Sequence, residues 1–302
     1  MDIQNRYRGA LLGLACGDAV GTTLEFKPRG SFEPLTDMVG GGPFELQPGQ
    51  WTDDTSMAMC LAESLVRCEV FDPRDQMNRY ANWYQHGYWS STGSCFDIGV
   101  ATRAALHTFL VSGQALAGNP DPASAGNGSI MRLAPVVLRY AGTAELQDMA
   151  VLSSRTTHAA LECLDACRLL AVAIERALQG QCKAAVLDLR AVEVTGDRLR
   201  AIAAGHYRDL PRERIRGSGY VVDSLEAALW CVAHHDTFAD MVLAAANLGD
   251  DADTTAAVVG QLAGALLGED GIPVAWRERV QEREAIQALA DALLERNSMI
   301  VD

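Results

Sequence analysis

Apolar residues along the chain recur every three to four positions, and alternating patterns are scarce. That spacing predicts helices throughout and no sheet. The approximate helices are 6–20, 55–68, 73–86, 97–112, 129–141, 144–155, 158–179, 182–190, 219–234, 238–247, 254–267 and 278–296. Two long connections interrupt the pattern. Residues 27–51 carry Gly40-Gly41-Gly42-Pro43 and Pro48-Gly49, and residues 113–128 are rich in Gly, Pro, Ser and Asn. Loops of this length inside a compact fold are uncommon and often functional. A third polar stretch, 191–217, holds Arg208, Arg212, Arg214 and Arg216 and reads as a solvated surface loop in preference to a phosphate site. No repeat, low-complexity segment or linker divides the chain, so the expectation is one all-α domain over 1–302.

Composition narrows the function. Of the 302 residues, 49% are hydrophobic and 21% charged, enough apolar material for a large core. The formal net charge of -14 disfavours nucleic acid and anionic membranes as partners. It also disfavours a diphosphate ligand unless metal ions, arginines or helix N-termini compensate locally. No apolar run reaches the ~18–20 residues of a membrane span, and nothing at the N-terminus reads as a signal peptide; the expected location is the cytoplasm. The eight cysteines form no CxxC pair, and most sit among apolar neighbours, which reads as buried reduced thiols.

Candidate chemistry lies at two helix starts. Thr52-Asp53-Asp54-Thr55 precedes Ser56-Met57-Ala58-Met59, and Asp250-Asp251-Ala252-Asp253-Thr254-Thr255 precedes Ala256-Ala257-Val258-Val259. Asp and Thr are favoured helix caps, but one cap needs one such residue. Adjacent carboxylates repel and raise one another's pKa, and no Lys or Arg lies within either motif. Two carboxylates and a threonine hydroxyl from each helix would make an all-oxygen set suited to Mg²⁺ or Mn²⁺, or to Ca²⁺, rather than zinc.

The order of these and other segments resembles the ADP-ribosylglycohydrolases. The matching segments are Gly13-Leu14-Ala15-Cys16-Gly17-Asp18-Ala19-Val20-Gly21 with Glu25, Pro48-Gly49-Gln50-Trp51-Thr52-Asp53-Asp54-Thr55, and Asp97-Ile98-Gly99 with Thr102-Arg103. They continue with Gly126-Asn127-Gly128-Ser129-Ile130-Met131-Arg132 and Pro135, Thr157-His158, Gly219-Tyr220 with Asp223-Ser224-Leu225, and Asn247-Leu248-Gly249-Asp250-Asp251-Ala252-Asp253-Thr254-Thr255. The resemblance spans nearly the whole chain. One departure stands out: such relatives often carry Gly-Gly-Asp where this chain has Gly249-Asp250-Asp251.

The resemblance implies an all-α fold with a central binuclear metal cleft, and an enzyme that removes ADP-ribose from a modified protein or small molecule. It places the metal ligands at Thr52, Asp53, Asp54, Asp251, Asp253 and Thr254, with Asp253 bridging two divalent cations, Mg²⁺ or Mn²⁺. Glu25 becomes the general acid or base and Asp97 a carboxylate near the ribose. Without the resemblance, Glu25 reads as a surface carboxylate and Asp97 as the cap of helix 97–112. Gly126, Asn127, Gly128 and Ser129 open a helix whose backbone N–H groups suit phosphate, although a bare Gly-Asn-Gly is more often a turn. His158 and Tyr220 are substrate contacts in the same scheme, and otherwise a capping histidine and a core tyrosine. Arg132 either follows the glycine loop toward the ligand or pairs with a carboxylate.

The preferred substrate is ADP-ribosyl-arginine on protein, in a regulatory or toxin-protective role. The few residues ahead of the first motif provide no arm for plugging a toxin. Two alternatives stand beside it: a non-catalytic binder or inhibitor of an ADP-ribosyltransferase, and a hydrolase of another linkage or of the diphosphate. The oligomeric state is left open.

Overall fold

The computed structural model describes residues 1–301; Asp302, the last residue of the expected domain, lies outside them. Among the described residues no strand is formed, and only isolated bridges, such as Gly126 with Tyr220, pair extended backbone. The helices are α1 (Ile3–Gly21), α2 (Asp53–Arg67), α3 (Pro73–His86), α4 (Val100–Ser112), α5 (Ala134–Tyr140), α6 (Leu146–Arg155) and α7 (Leu161–Leu178). Then come α8 (Lys183–Val186), α9 (Asp197–Ala203), α10 (Val221–His234), α11 (Phe238–Ala246), α12 (Ala252–Leu267), α13 (Val274–Arg279) and α14 (Arg283–Val301). The fold is all-α, as expected.

Local chemistry explains several boundaries. Asp2 caps α1 by accepting from the Asn5 N–H at 2.7 Å. Asp72 caps α3 ahead of Pro73, and Gly87 ends that helix in the left-handed region at φ +69°. Four expectations need correction. The helix expected over 129–141 starts only at Ala134, because residues 126–133 spend their backbone in turns. The helix expected from Asp97 starts at Val100, with Gly99 as its cap and Asp97 at φ +57°. The polar stretch 191–217 contains α9, whose Leu199 and Ile202 reach the core; its apolar residues are too sparse for a periodic signal. The helix expected over 278–296 is two, α13 and α14, broken where Glu282 adopts φ +53°.

The centre of the molecule is the pair α1 and α12. Gly9, Gly13, Gly17 and Gly21 recur every four residues and so share one helix face. Opposite them, in reverse order, lie Gly264, Gly260, Ala256 and Ala252, which makes the pair antiparallel. A Cβ on Gly13 would sit 2.2 Å from the Gly260 carbonyl oxygen, and one on Gly260 2.0 Å from that of Gly13. The two backbones are therefore in direct contact, and only hydrogen atoms fit between them. Every residue of α12 from Ala252 to Leu266 is buried. α7, α10 and α11 surround α12, while α14 covers α1, α2 and α5.

A methyl group at this crossing meets backbone, which has no rotamer to yield. We expect Gly13→Ala to lower stability by about 3 kcal/mol or more, at the upper end of overpacking costs, measured by urea unfolding. Gly196→Ala, whose Cβ would meet only a Leu199 methyl at 3.9 Å, should cost no more than the ~1 kcal/mol of a weaker N-cap on α9.

Candidate active site

The α1–α12 crossing ends at Gly21 and Ala252, and the residues beside that end carry carboxylates. Asp18 lies one turn back on α1, and Asp253 directly follows Ala252. The start of α2 is the third contributor. Thr52 occupies its N-cap position, yet its side chain does not cap the helix. Asp18 does so from α1. One Asp18 oxygen accepts from the backbone N–H and the hydroxyl of Thr52, both at 2.9 Å. The other accepts from the N–H of Thr55 at 3.0 Å and its hydroxyl at 2.6 Å. Sequence reasoning placed Asp18 in a matching segment but gave it no role. Its signal was a lone aspartate inside a helix of otherwise buried small and apolar residues.

With α2 docked in this way, its acidic start faces that of α12. The Thr52 hydroxyl lies 3.2 Å from an Asp253 oxygen. The Thr254 hydroxyl donates to Asp54 at 3.1 Å, and its N–H donates to Asp253 at 2.8 Å. Asp251 turns inward, where Asn127 Nδ2 donates to it at 2.7 Å. Asp250 is exposed and left-handed at φ +56°, a conformation that aspartate tolerates better than most residues. The sequence register that counted Asp251 and Asp253 from Thr254 thus matches the side chains that point inward.

Carboxylate oxygens of Asp18, Asp54 and Asp253 lie within 4.8 Å of one another, as do those of Glu25, Asp97 and Asp253. Asp253 belongs to both groups. Glu25 is buried, and its Oε2 has no hydrogen-bond partner; it is not the surface carboxylate of the plainer reading. The left-handed backbone at Asp97 removes it from the helix cap and places it beside Glu25. Among the described residues, none of the salt bridges involves these groups.

Burial, first, and the neighbouring carboxylates, second, raise the pKa values of Glu25, Asp53, Asp54 and Asp253. Burial raises Asp97 and Asp251 as well, against hydrogen bonds that pull down. Asp18 rises only to about 6, because burial is opposed by its four hydrogen bonds. A set of buried carboxyls and threonine hydroxyls, one oxygen orphaned and no cation paired, is the donor chemistry that hard divalent ions satisfy.

Of these groups, Glu25, Asp53, Asp97, Asp251 and Thr254 line a cavity of about 1000 Å³, within the range of small-molecule sites. Gly126, Asn127, Gly128, His158 and Tyr220 line the same cavity. The glycine loop is not a helix N-terminus, which removes that argument for phosphate binding. It is held by Asn127 N–H to Gly219 O at 3.0 Å and Val221 N–H to Ala125 O at 3.0 Å. A Cβ on Gly128 would lie 2.6 Å from the His158 ring, so the histidine is packed beneath the loop. Ser129 is buried and takes a 3.5 Å contact from Cys167 instead of lining the cavity. Tyr220 is fixed by its hydroxyl, which donates to Glu162 at 2.7 Å. Arg132 is buried and meets no carboxylate: it donates to Gly128 O at 2.7 Å and Thr157 Oγ1 at 2.6 Å, below the loop.

Comparison with known proteins gives a consistent picture. The family model described as ADP-ribosylglycohydrolase matches residues 1–299. The "ADP-ribosylarginine hydrolase Tri1" of Pseudomonas putida is 51% identical over 294 residues, covering 97% of this chain and 78% of that protein. The "ADP-ribosyl-[dinitrogen reductase] glycohydrolase" of Rhodospirillum rubrum is 33% identical over 302 residues, covering 97% of this chain and 96% of the relative. A solved "ADP-ribosylglycohydrolase-related protein complex" superposes with a TM-score of 0.88 at 43% identity, covering 98% of this chain and 99% of that one. Among the described residues no helix is long and apolar enough to cross a membrane.

Burial, with the Arg132 charge adding to it, pushes His158 down to about 3. The folded protein therefore keeps it neutral while the unfolded chain takes up a proton below ~6.5. Its contribution is intact above that pH and falls away as pH drops toward 3. Urea unfolding at pH 7.5 and 5 should show a smaller acid loss for His158→Gln than for the wild type. Equal losses would mean that His158 is protonated in the fold.

Proposed function

The chain belongs to the ADP-ribosylglycohydrolase family of glycosidic-bond hydrolases, and from that premise we propose that it removes ADP-ribose from arginine side chains of modified proteins, using two divalent cations, Mg²⁺ or Mn²⁺. The observation that carries the reading is the convergence of buried carboxylates, without a cationic partner, at one end of a cavity large enough for ADP-ribose. Relatives named for ADP-ribosylarginine support the choice of linkage.

Thr52, Asp53, Asp54, Asp251, Asp253 and Thr254 would hold the cations. Bound there, the cations would polarise the ribose hydroxyls and lower the pKa of an attacking water. Asp18 and Asn127 keep the oxygen donors aimed by holding Thr52 and Asp251. Cleavage of the C1″–N bond develops oxocarbenium character at the sugar. Glu25, with its free Oε2, gives a proton to the departing guanidine nitrogen or takes one from the attacking water. Asp97 lies beside it and steadies the shared proton. His158 and Gly128 close the cavity floor against solvent. Tyr220, immobilised by Glu162, offers an aromatic face to the adenine. The products are intact ADP-ribose and unmodified arginine, with one water consumed.

The test is incubation with ADP-ribosylated arginine in Mg²⁺, in Mn²⁺ and in chelator. We expect metal-dependent release of intact ADP-ribose, abolished in Asp253→Ala. Glu25→Gln should lose roughly 10²–10⁴-fold in kcat, the range for a general acid or base. Release of AMP would mean attack on the diphosphate and would overturn the reading. Metal binding without any turnover would favour an inhibitory binder.

A further inference from the structure

We propose that Phe26 sets acceptor specificity: its ring face receives the planar, positively charged guanidinium of the arginine from which ADP-ribose is removed. The inference rests on the arginine linkage proposed above and names the group that selects for it.

Phe26 follows Glu25 in the chain and lines the same cavity as Glu25 and Asp97. Its side chain is 66% exposed. It makes an edge contact with Phe44, with ring centroids 6.4 Å apart at 75°, and Phe44 lies 5.1 Å from Phe96, the neighbour of Asp97. A chain of ring contacts thus runs from the residue after Glu25 to the residue before Asp97.

The arrangement is costly for a surface residue. Phe26 sits at φ +62°, where a bulky side chain is an outlier, and its ring gains little from burial. Glycine or asparagine would make the same turn at lower cost. The turn therefore does not explain the phenyl ring; contact with a ligand does. The turn itself is firmly held. Phe26 N–H donates to Asp250 O at 2.7 Å, and Asp250 N–H donates to Lys27 O at 2.9 Å. The backbone that carries the ring is thereby tied to the loop that carries Asp251.

Charge identifies the occupant. With Asp53 and Asp251 given to the cations, Asp97 is the carboxylate left beside Phe26 in the lining of the cavity, and it favours a cationic acceptor. The face of an aromatic ring adds a cation–π attraction that favours the flat guanidinium. Ile98 and Val100, beside Asp97, line the same cavity and offer apolar surface to the arginine methylenes. A serine acceptor has no charge and only one methylene, and would gain little from these contacts.

The test uses ADP-ribosylated agmatine, which carries the guanidinium without a protein, and ADP-ribose itself as competing product, both with Mg²⁺. Phe26→Leu keeps bulk but removes the π face; Phe26→Tyr keeps the face. We expect Phe26→Leu to raise KM for ADP-ribosylagmatine by about three- to tenfold, the scale of a cation–π contact, and Phe26→Tyr to restore it. The ADP-ribose inhibition constant should be the same in all three proteins. An unchanged KM in Phe26→Leu, or a KM and inhibition constant that rise together, would overturn the proposal. If the wild type cleaves nothing, the arginine-hydrolase reading fails. The Phe26 proposal is then decided by the dissociation constants of the same two ligands, under the same criteria.

Discussion

Where α1 crosses α12, glycine faces glycine and the two backbones touch. No side chain separates them, so the distance between the helices is set by main-chain atoms alone. Packing through flexible side chains tolerates small shifts, but a backbone contact does not. The end of this crossing is also where the chemistry begins. Asp18 and Asp253 are carried by the two helices within one turn of the last contact, and their separation is fixed by the same atoms. Asp18 then docks α2 by capping it from outside, which brings Asp53, Asp54 and Thr52 against α12. Placing the oxygen donors at and just inside the starts of packed helices gives the acidic centre a stiff frame.

Electrostatics runs against this geometry. Several carboxylates are gathered in a buried place, in a protein whose net charge is already -14. Burial and mutual repulsion raise their pKa values, and no lysine or arginine relieves them. The centre is thus electrostatically unfavourable on its own, and a bound cation and rigidity of the centre would reinforce each other. Asp18 is the exception. It is equally buried, but two N–H groups and two hydroxyls satisfy it, and it positions the other groups without sharing their strain.

The helices and the two acidic starts were legible because both are local signals: apolar spacing in one case, an excess of carboxylates over what a cap needs in the other. Thr254 and Asp253 could be placed from the same short motif, and the structure turns Asp251 inward beside them. What stayed hidden depends on partners distant in sequence. The glycines of α1 could be quoted as a motif, but that they abut Gly260 and Gly264 is visible only in three dimensions. Asp18 looked like one polar residue in a helix; its four hydrogen bonds come from a segment more than a full loop away. The plainer alternative for Asp97, a helix cap, does not hold, because its left-handed backbone leaves no mark on the residue type. The glycine loop reads as a helix start because nothing local reveals that Asn127 bonds across to Gly219 and Ala125 to Val221.

The same glycine face has a consequence for how the protein is made. α1 is synthesised long before α12, the helix against which its glycine face packs. During synthesis the growing chain therefore carries its central helix without its partner, with buried-to-be surface on view. Local pairs such as α2 with α3 or α6 with α7 are free to form early, but the core closes only when the last third of the chain arrives. Contacts so far apart in sequence slow folding and prolong the exposure of sticky intermediates. Assembly of the acidic centre is in this way postponed to the final step, and a partly synthesised chain carries its carboxylates apart.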